Sequence, residues 1–139
     1  MDVDNLLKAL NNDQNEYLIH LTTAKIKQMK IEILKELHLS QEDMLEILQK
    51  LREYKYVDEL SDFRTGAFIR WISITDPENI YLTGGGIVCD IKITDKGMLI
   101  TCKNFARKYY QLKPDECLIF QKLSQQEQVL LAALDHLSK

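Results

Sequence analysis

"TGAFIRWISIT", residues 65–75, sets Phe68, Ile69, Trp71, Ile72 and Ile74 on both sides of a strand, with Arg70 in the middle. A strand with one wet face alternates apolar and polar residues, so this one must be covered on both faces or bend hard enough to serve two surfaces. A sharply curved strand would point Phe68 and Ile72 into a barrel interior. It would turn Ile69 and Trp71 toward a helical layer outside, and leave Arg70 at a rim with its head in water.

Downstream, after a loop through Asp76, Pro77, Glu78 and Asn79, "TGGG" (83–86) leads into "IVCDIKIT". Its alternation predicts Ile87, Cys89, Ile91 and Ile93 on the core side and Val88, Asp90, Lys92 and Thr94 on the wet side. "DKG" (95–97) reads as a hairpin turn with Gly97 at a positive φ, and "MLITCK" returns Met98, Ile100 and Cys102 to the same core. "YYQLK", a Lys-Pro-Asp-Glu turn at 113–116 and a last strand "CLIFQKL" follow. Five short consecutive strands with a bent first member predict a closed or nearly closed small barrel, since closure removes exposed edges.

Upstream the period is helical. From Thr23 as N-cap, "AKIKQMKIEILKELHL" places Ile26, Met29, Ile33 and Leu37 on one stripe. Ser40 with Asp43 resembles a capping arrangement, and Met44, Ile47, Leu48 and Leu51 form the stripe of a second helix from about Gln41 to Tyr54. The short link between the two favours an antiparallel pair. Nearer the N-terminus, "NLLKAL" is a helix-like apolar patch that breaks at Asn11, Asn12 and Asp13 and resumes from Tyr17 to Leu21. At the other end "SQQE" (124–127) is a capping box, and Val129, Leu130, Ala133, Leu134 and Leu137 form the stripe of a C-terminal helix. The expectation is one α+β domain over 1–139. A helical layer (1–55) precedes a small curved antiparallel barrel (56–123) and a final helix (124–139).

Composition bounds the setting. With 139 residues, 45% hydrophobic and 28% charged, the chain fits one globular unit. No window approaches the roughly 18 apolar residues of a membrane span, and "MDVDN" opens with acids where a secretory signal is basic, so neither membrane insertion nor export is expected. Cys89, Cys102 and Cys117 never reach CxxC spacing and read as three reduced, buried thiols. Residues 1–63 hold 8 Lys/Arg and 13 Asp/Glu, residues 64–122 hold 9 and 6, and residues 123–139 hold 1 and 2. An acidic helical half thus precedes a mildly basic β half.

Catalytic patterns are thin. Gly84, Gly85 and Gly86 lack the trailing Lys-Ser/Thr of a phosphate loop and precede a strand, so they read as a turn or bulge. His20, His38 and His136 are scattered and make no helical metal pair, and no nucleophile elbow is present. No cofactor and no metal are expected. The strongest binding candidate is "CKNFARKYYQLK" (102–113), where Lys103, Arg107, Lys108 and Lys113 interleave with Phe105, Tyr109 and Tyr110. Cations follow phosphates while aromatic faces stack on bases, so this mixture suits single-stranded nucleic acid, RNA in particular, with Arg64 and Arg70 extending the patch if the barrel brings the first strand alongside. The competing reading is a solvated loop whose rings pack inward, favoured by the sequence pI of about 5.6. The helix stripes, in turn, can cover the barrel or meet another subunit or protein partner.

The phrases "GAFIRWI", "GGIVCDIKI", "TCKNF" and "LIFQKLSQQEQVLLAALD" resemble uncharacterised small proteins of large DNA viruses of algae and protists, of the mimivirus-like kind. The resemblance spans about residues 56–138 and implies a viral setting, the cytoplasm of an infected cell or the virion, with no catalytic residue to carry over. By strand count the β part is similar to Sm-like or SH3-like barrels. The expected function is a non-catalytic interaction or assembly module that self-associates or binds a protein, the alternative being single-stranded nucleic-acid binding through Lys103, Phe105, Arg107, Lys108, Tyr109, Tyr110 and Arg70.

Overall fold

The computed structural model of the protein describes Asp4, Leu7, Lys8 and residues 21–137. The patch read at "NLLKAL" and its resumption from Tyr17 lie, apart from Leu7, Lys8 and Leu21, outside the described residues. Over residues 21–137 the chain is α+β, with three α-helices, a short 3-10 turn at Leu60–Asp62 and one six-stranded antiparallel sheet. In chain order these are α1 (Thr23–Lys35), α2 (Gln41–Lys50), β1 (Tyr54–Val57), β2 (Phe68–Ser73), β3 (Gly86–Thr94), β4 (Gly97–Lys103), β5 (Tyr109–Leu112), β6 (Cys117–Lys122) and α3 (Gln125–Leu137).

Local chemistry sets the helix ends. Thr22, one residue earlier than expected, caps α1 by accepting from Lys25 N, and Ser40 caps α2 by accepting from Asp43 N. The Ser124–Glu127 capping box of α3 is complete: Ser124 Oγ accepts from Glu127 N, and Glu127 Oε1 accepts from Ser124 N. The α1 stripe is rotated from the expected one. Ile26, Lys30 and Leu34 are buried while Met29 is exposed, because the aliphatic stem of Lys30 occupies a core position that a hydrophobicity count assigns to solvent. In α3, Glu127, Leu130 and Leu131 are the buried residues, and Leu137 is exposed. The second helix stops at Lys50, and Tyr54 belongs to a strand the sequence reading ran into the helix.

The strand order is β1-β6-β2-β3-β4-β5. The expected closed or nearly closed barrel does not close: the strands form an open, curled sheet. β6 pairs with β1 on one side and β2 on the other, so neither edge is left to meet β5. The curl still brings the edge strands to one core, where Val57 and Leu112 share a cluster with Ile69, Trp71, Ile100 and Ile119. On the outer face Tyr54, Ile72, Leu118 and Phe120 pack against Leu34, Ile47 and Leu51 of the helical layer, and α3 joins α1 through Ile26, Leu130 and Leu131.

Strand β2 is covered on both faces, but in the opposite sense to the expectation. Ile69 and Trp71 point into the sheet's own core, whereas Phe68 and Ile72 meet the helical layer. With apolar residues on both sides the pattern could not choose; pairing with β6 does, setting Ile69 opposite Gln121 and Trp71 opposite Ile119. In β3 a bulge does the same work. Val88 pairs with Cys102 and Asp90 with Thr101, so Cys89 is an extra residue that shifts the inward position from Val88 to Ile91. Ile87 and Cys89 are exposed as a result, Ile93 is exposed beside the hairpin end although it shares the face of Ile91, and only Cys102 and Cys117 are buried thiols. The hairpin at Thr94–Gly97 forms as expected, with Gly97 at φ +108°.

Candidate functional site: an aromatic cleft

After β2 the chain doubles back beside it. Thr83 N donates to Trp71 O at 3.0 Å, Trp71 N donates to Thr83 Oγ1 at 3.3 Å, and Arg70 Nε donates to Thr83 O at 2.8 Å. These bonds hold Tyr81 as a ring 63% exposed at the surface. The turn into β3 depends on Gly85. Its φ is +90°, and a Cβ there would sit 2.4 Å from Ile69 O, a backbone atom that cannot move aside.

Facing this wall is the β4–β5 hairpin. Asn104 closes its loop twice, donating from N to Lys108 O and accepting from Lys108 N at Oδ1, both at 2.9 Å. Arg107 takes the left-handed conformation at φ +63°, which lets so short a loop reverse. The loop presents Phe105, 83% exposed, with its ring 5.6 Å from that of Phe68. Tyr110 follows on β5 with its ring 5.7 Å from that of Trp71. Between the two walls lies a cleft of about 400 Å³ lined by Trp71, Tyr81, Gly84, Phe105 and Tyr110, with Thr83 and Asn104 as polar groups.

The structure divides the expected basic-aromatic patch. Phe105 and Tyr110 line the cleft, and Arg70 stands behind its wall, tied to Thr83. Arg107 and Lys108 are exposed in the loop that carries Phe105. Lys103 and Tyr109 are cross-strand partners on the other side of the hairpin, with Lys103 Nζ 5.5 Å from the Tyr109 ring centre, because Tyr110 takes the inward face with its partner Cys102. Sequence reasoning missed Trp71, Tyr81, Thr83 and Gly85 as parts of one site. Tyr81 carried no local signal at all, since only the doubling back of 80–85 brings it near Tyr110.

Cations adjoin the loop that carries Phe105. Residues 96–114 contain five Lys/Arg and no Asp/Glu. Among the described lining residues there is no carboxylate, imidazole or thiol, so the cleft offers stacking faces, hydroxyls and an amide and no acid–base pair. No group of His, Cys, Asp and Glu suited to a metal ion occurs among the described residues, and none of their helices is long and apolar enough to cross a membrane.

A larger cleft, about 610 Å³, runs along Arg64–Phe68, Ile91 and Lys122–Ser124. Its strongest cation is already engaged. Glu127, fully buried, accepts from Lys55 Nζ at 2.7 Å and from Arg64 Nη2. Gln121, equally buried, accepts from Arg64 N and donates to Asp62 O. Burial holds the Lys55 amine below its usual range even though Glu127 pulls it upward. This cluster ties β1, β6 and α3 together and leaves the aromatic cleft as the better candidate. Comparison with known proteins finds no matching family model, curated protein or solved structure.

Proposed function

We propose that the protein is a non-catalytic binding module whose cleft takes single-stranded nucleic acid. The observation that carries this reading is the set of four rings, Trp71, Tyr81, Phe105 and Tyr110, around a cleft beside an acid-free basic stretch. Flat aromatic faces accept any base, while nearby Arg and Lys attract the connecting phosphates, so affinity follows the strand more than its sequence. An exposed ring such as Phe105 is held in water until a base covers it. On this reading the β unit is a partly open small barrel of Sm or SH3 type, for which the meander β2-β3-β4-β5 and the return of β6 beside β2 are the support. The likeness of residues 56–138 to small proteins of large DNA viruses supports an infected cell's cytoplasm or the virion as the setting.

Fluorescence anisotropy with labelled oligo-U and oligo-T tests the reading. Binding is expected at about 50 mM salt, weakening with a log–log slope of about −0.7 per phosphate contacted. Replacing Arg107 or Lys108 with Gln should lower the slope by nearly one unit, whereas Tyr110→Ala should weaken binding by about 1–3 kcal/mol with the slope unchanged. If neither oligomer binds at that salt, the cleft is not a nucleic-acid site.

A further inference from the structure

On the helical side, α1, α2 and α3 line a groove of about 440 Å³ among the described residues. Its floor is Ile26, Leu48, Leu123 and Leu131, and Leu45 stands at its edge 60% exposed. Three cations line it, Lys27, Lys30 and Arg52, and no acid does among the described residues. Asp135 is engaged by the N and Oγ1 of the lining residue Thr23. Lys30 is the unusual member. It is 4% exposed, and its ammonium donates to Leu51 O at 2.8 Å, beyond the last turn of α2, where a cation suits the helix's negative end. An ammonium can donate three hydrogen bonds, so this one retains capacity for a further acceptor. Burial, with Lys27 close by, holds its amine below the usual range, the behaviour of a cation short of a counter-charge.

We propose that this groove docks an acidic amphipathic segment of a partner protein. Its apolar side chains would lie on Ile26, Leu45, Leu48 and Leu131, and a carboxylate would reach Lys30 with Lys27 and Arg52 as its flanks. Charge complementarity selects the occupant: a purely apolar segment would bury Lys30 with no counter-ion, and a basic one would set like charges together. The arrangement is helix-in-groove recognition, with anchors expected at i, i+3 or i+4, and i+7. This site lies apart from the aromatic cleft, and the two stand or fall separately.

The test is selection of displayed peptides of about 16 residues, roughly four helical turns, on the intact protein. Recovered sequences should combine helically spaced Leu, Ile or Phe with an excess of Asp and Glu. Leu45→Lys should weaken them by roughly tenfold or more while thermal melting stays unchanged, since Leu45 is mostly in water. Lys30→Met keeps the stem and removes the ammonium. It should weaken the acidic peptides several-fold and leave their Glu→Gln versions unaffected, which a merely structural Lys30 would not do. No enrichment, recovered peptides without acidic excess, or equal binding by Leu45→Lys would overturn the proposal. So would a dimer in sedimentation that Leu45→Lys dissociates, because the groove would then belong to a second copy.

Discussion

Lys55 and Arg64 on one side, and Arg107 and Lys108 on the other, are the same two kinds of side chain in opposite service. The first pair is drawn around Glu127, a carboxylate with no exposure, where the charges are paired within the fold although the buried Arg64 Nε has no hydrogen-bond partner among the described residues. The second pair stands in water on a hairpin loop with no acid in the flanking stretch. Buried charges of this kind are strongly destabilising to uncouple, while exposed ones are nearly neutral to stability and remain available to a ligand. Position in the fold, and not residue type, separates architecture from binding.

Breaking the buried side should give the largest effect. Glu127→Ala takes the buried carboxylate from Lys55 and Arg64 and removes the side-chain half of the α3 capping box, so a loss of about 3–5 kcal/mol is expected in urea unfolding. A loss below about 1 kcal/mol would mean water reaches the cluster and the contrast is weaker than the geometry implies. Arg107→Gln and Lys108→Gln, measured alongside, should unfold at the wild-type midpoint.

Alkaline pH sharpens the same contrast. Burial pushes the Cys102 thiol up to about 11 from 9, so the unfolded chain ionises first and stability falls as pH rises from 9 to 11. The loss from this group is roughly 2–3 kcal/mol. Lys55 acts in the opposite sense: its lowered pKa makes the folded state shed a proton the unfolded chain still holds, and stability from that group rises as pH climbs toward 10.5. Comparing wild type with Cys102→Ala under reducing conditions isolates the thiol. Identical pH slopes would show that Cys102 ionises as freely in the fold as in the open chain.

Glycine exchange tests the cleft wall. Gly85→Ala must place a Cβ against Ile69 O at a positive φ and should cost roughly 1–3 kcal/mol, displacing Tyr81 as well. Gly84→Ala meets nothing within 4 Å and should melt like wild type. Equal melting of the two would show that the turn relaxes freely.

The smallest effect on stability belongs to Phe105→Ala, within about 0.5 kcal/mol because the ring is 83% exposed. On oligonucleotide affinity the same change should be worth about 1–3 kcal/mol. A variant that binds normally would detach Phe105 from the proposed site.

Local signals carried much of the fold. Ser40, the Ser124–Glu127 box and Gly97 act within a few residues, and the sequence reading found all three. What depends on distant partners was not legible. Lys55 makes β1 look like charged helix end until Glu127 arrives from 72 residues away to bury it. The two faces of β2 are equally apolar, and one extra residue at Cys89 reverses the inward parity of β3. The site was half legible for the same reason. Phe105 and Tyr110 stood out beside their cations, but Trp71 joins them through the strand pairing that turns its ring to Tyr110, and Tyr81 through the doubling back held by Thr83.

The place of β6 has a further consequence during synthesis. It is the last strand made, and it is inserted between the two earliest, with Tyr54 opposite Lys122 and Ile69 opposite Gln121. Until Cys117–Lys122 leaves the ribosome, β1 and the facing side of β2 are both open strand edges, while the β3–β4–β5 meander can already pair with itself. A nascent chain that has emerged from the ribosome only as far as Pro114 would hold a formed meander and two sticky edges, the state in which a chaperone or a neighbouring nascent chain competes with the chain's own final strand.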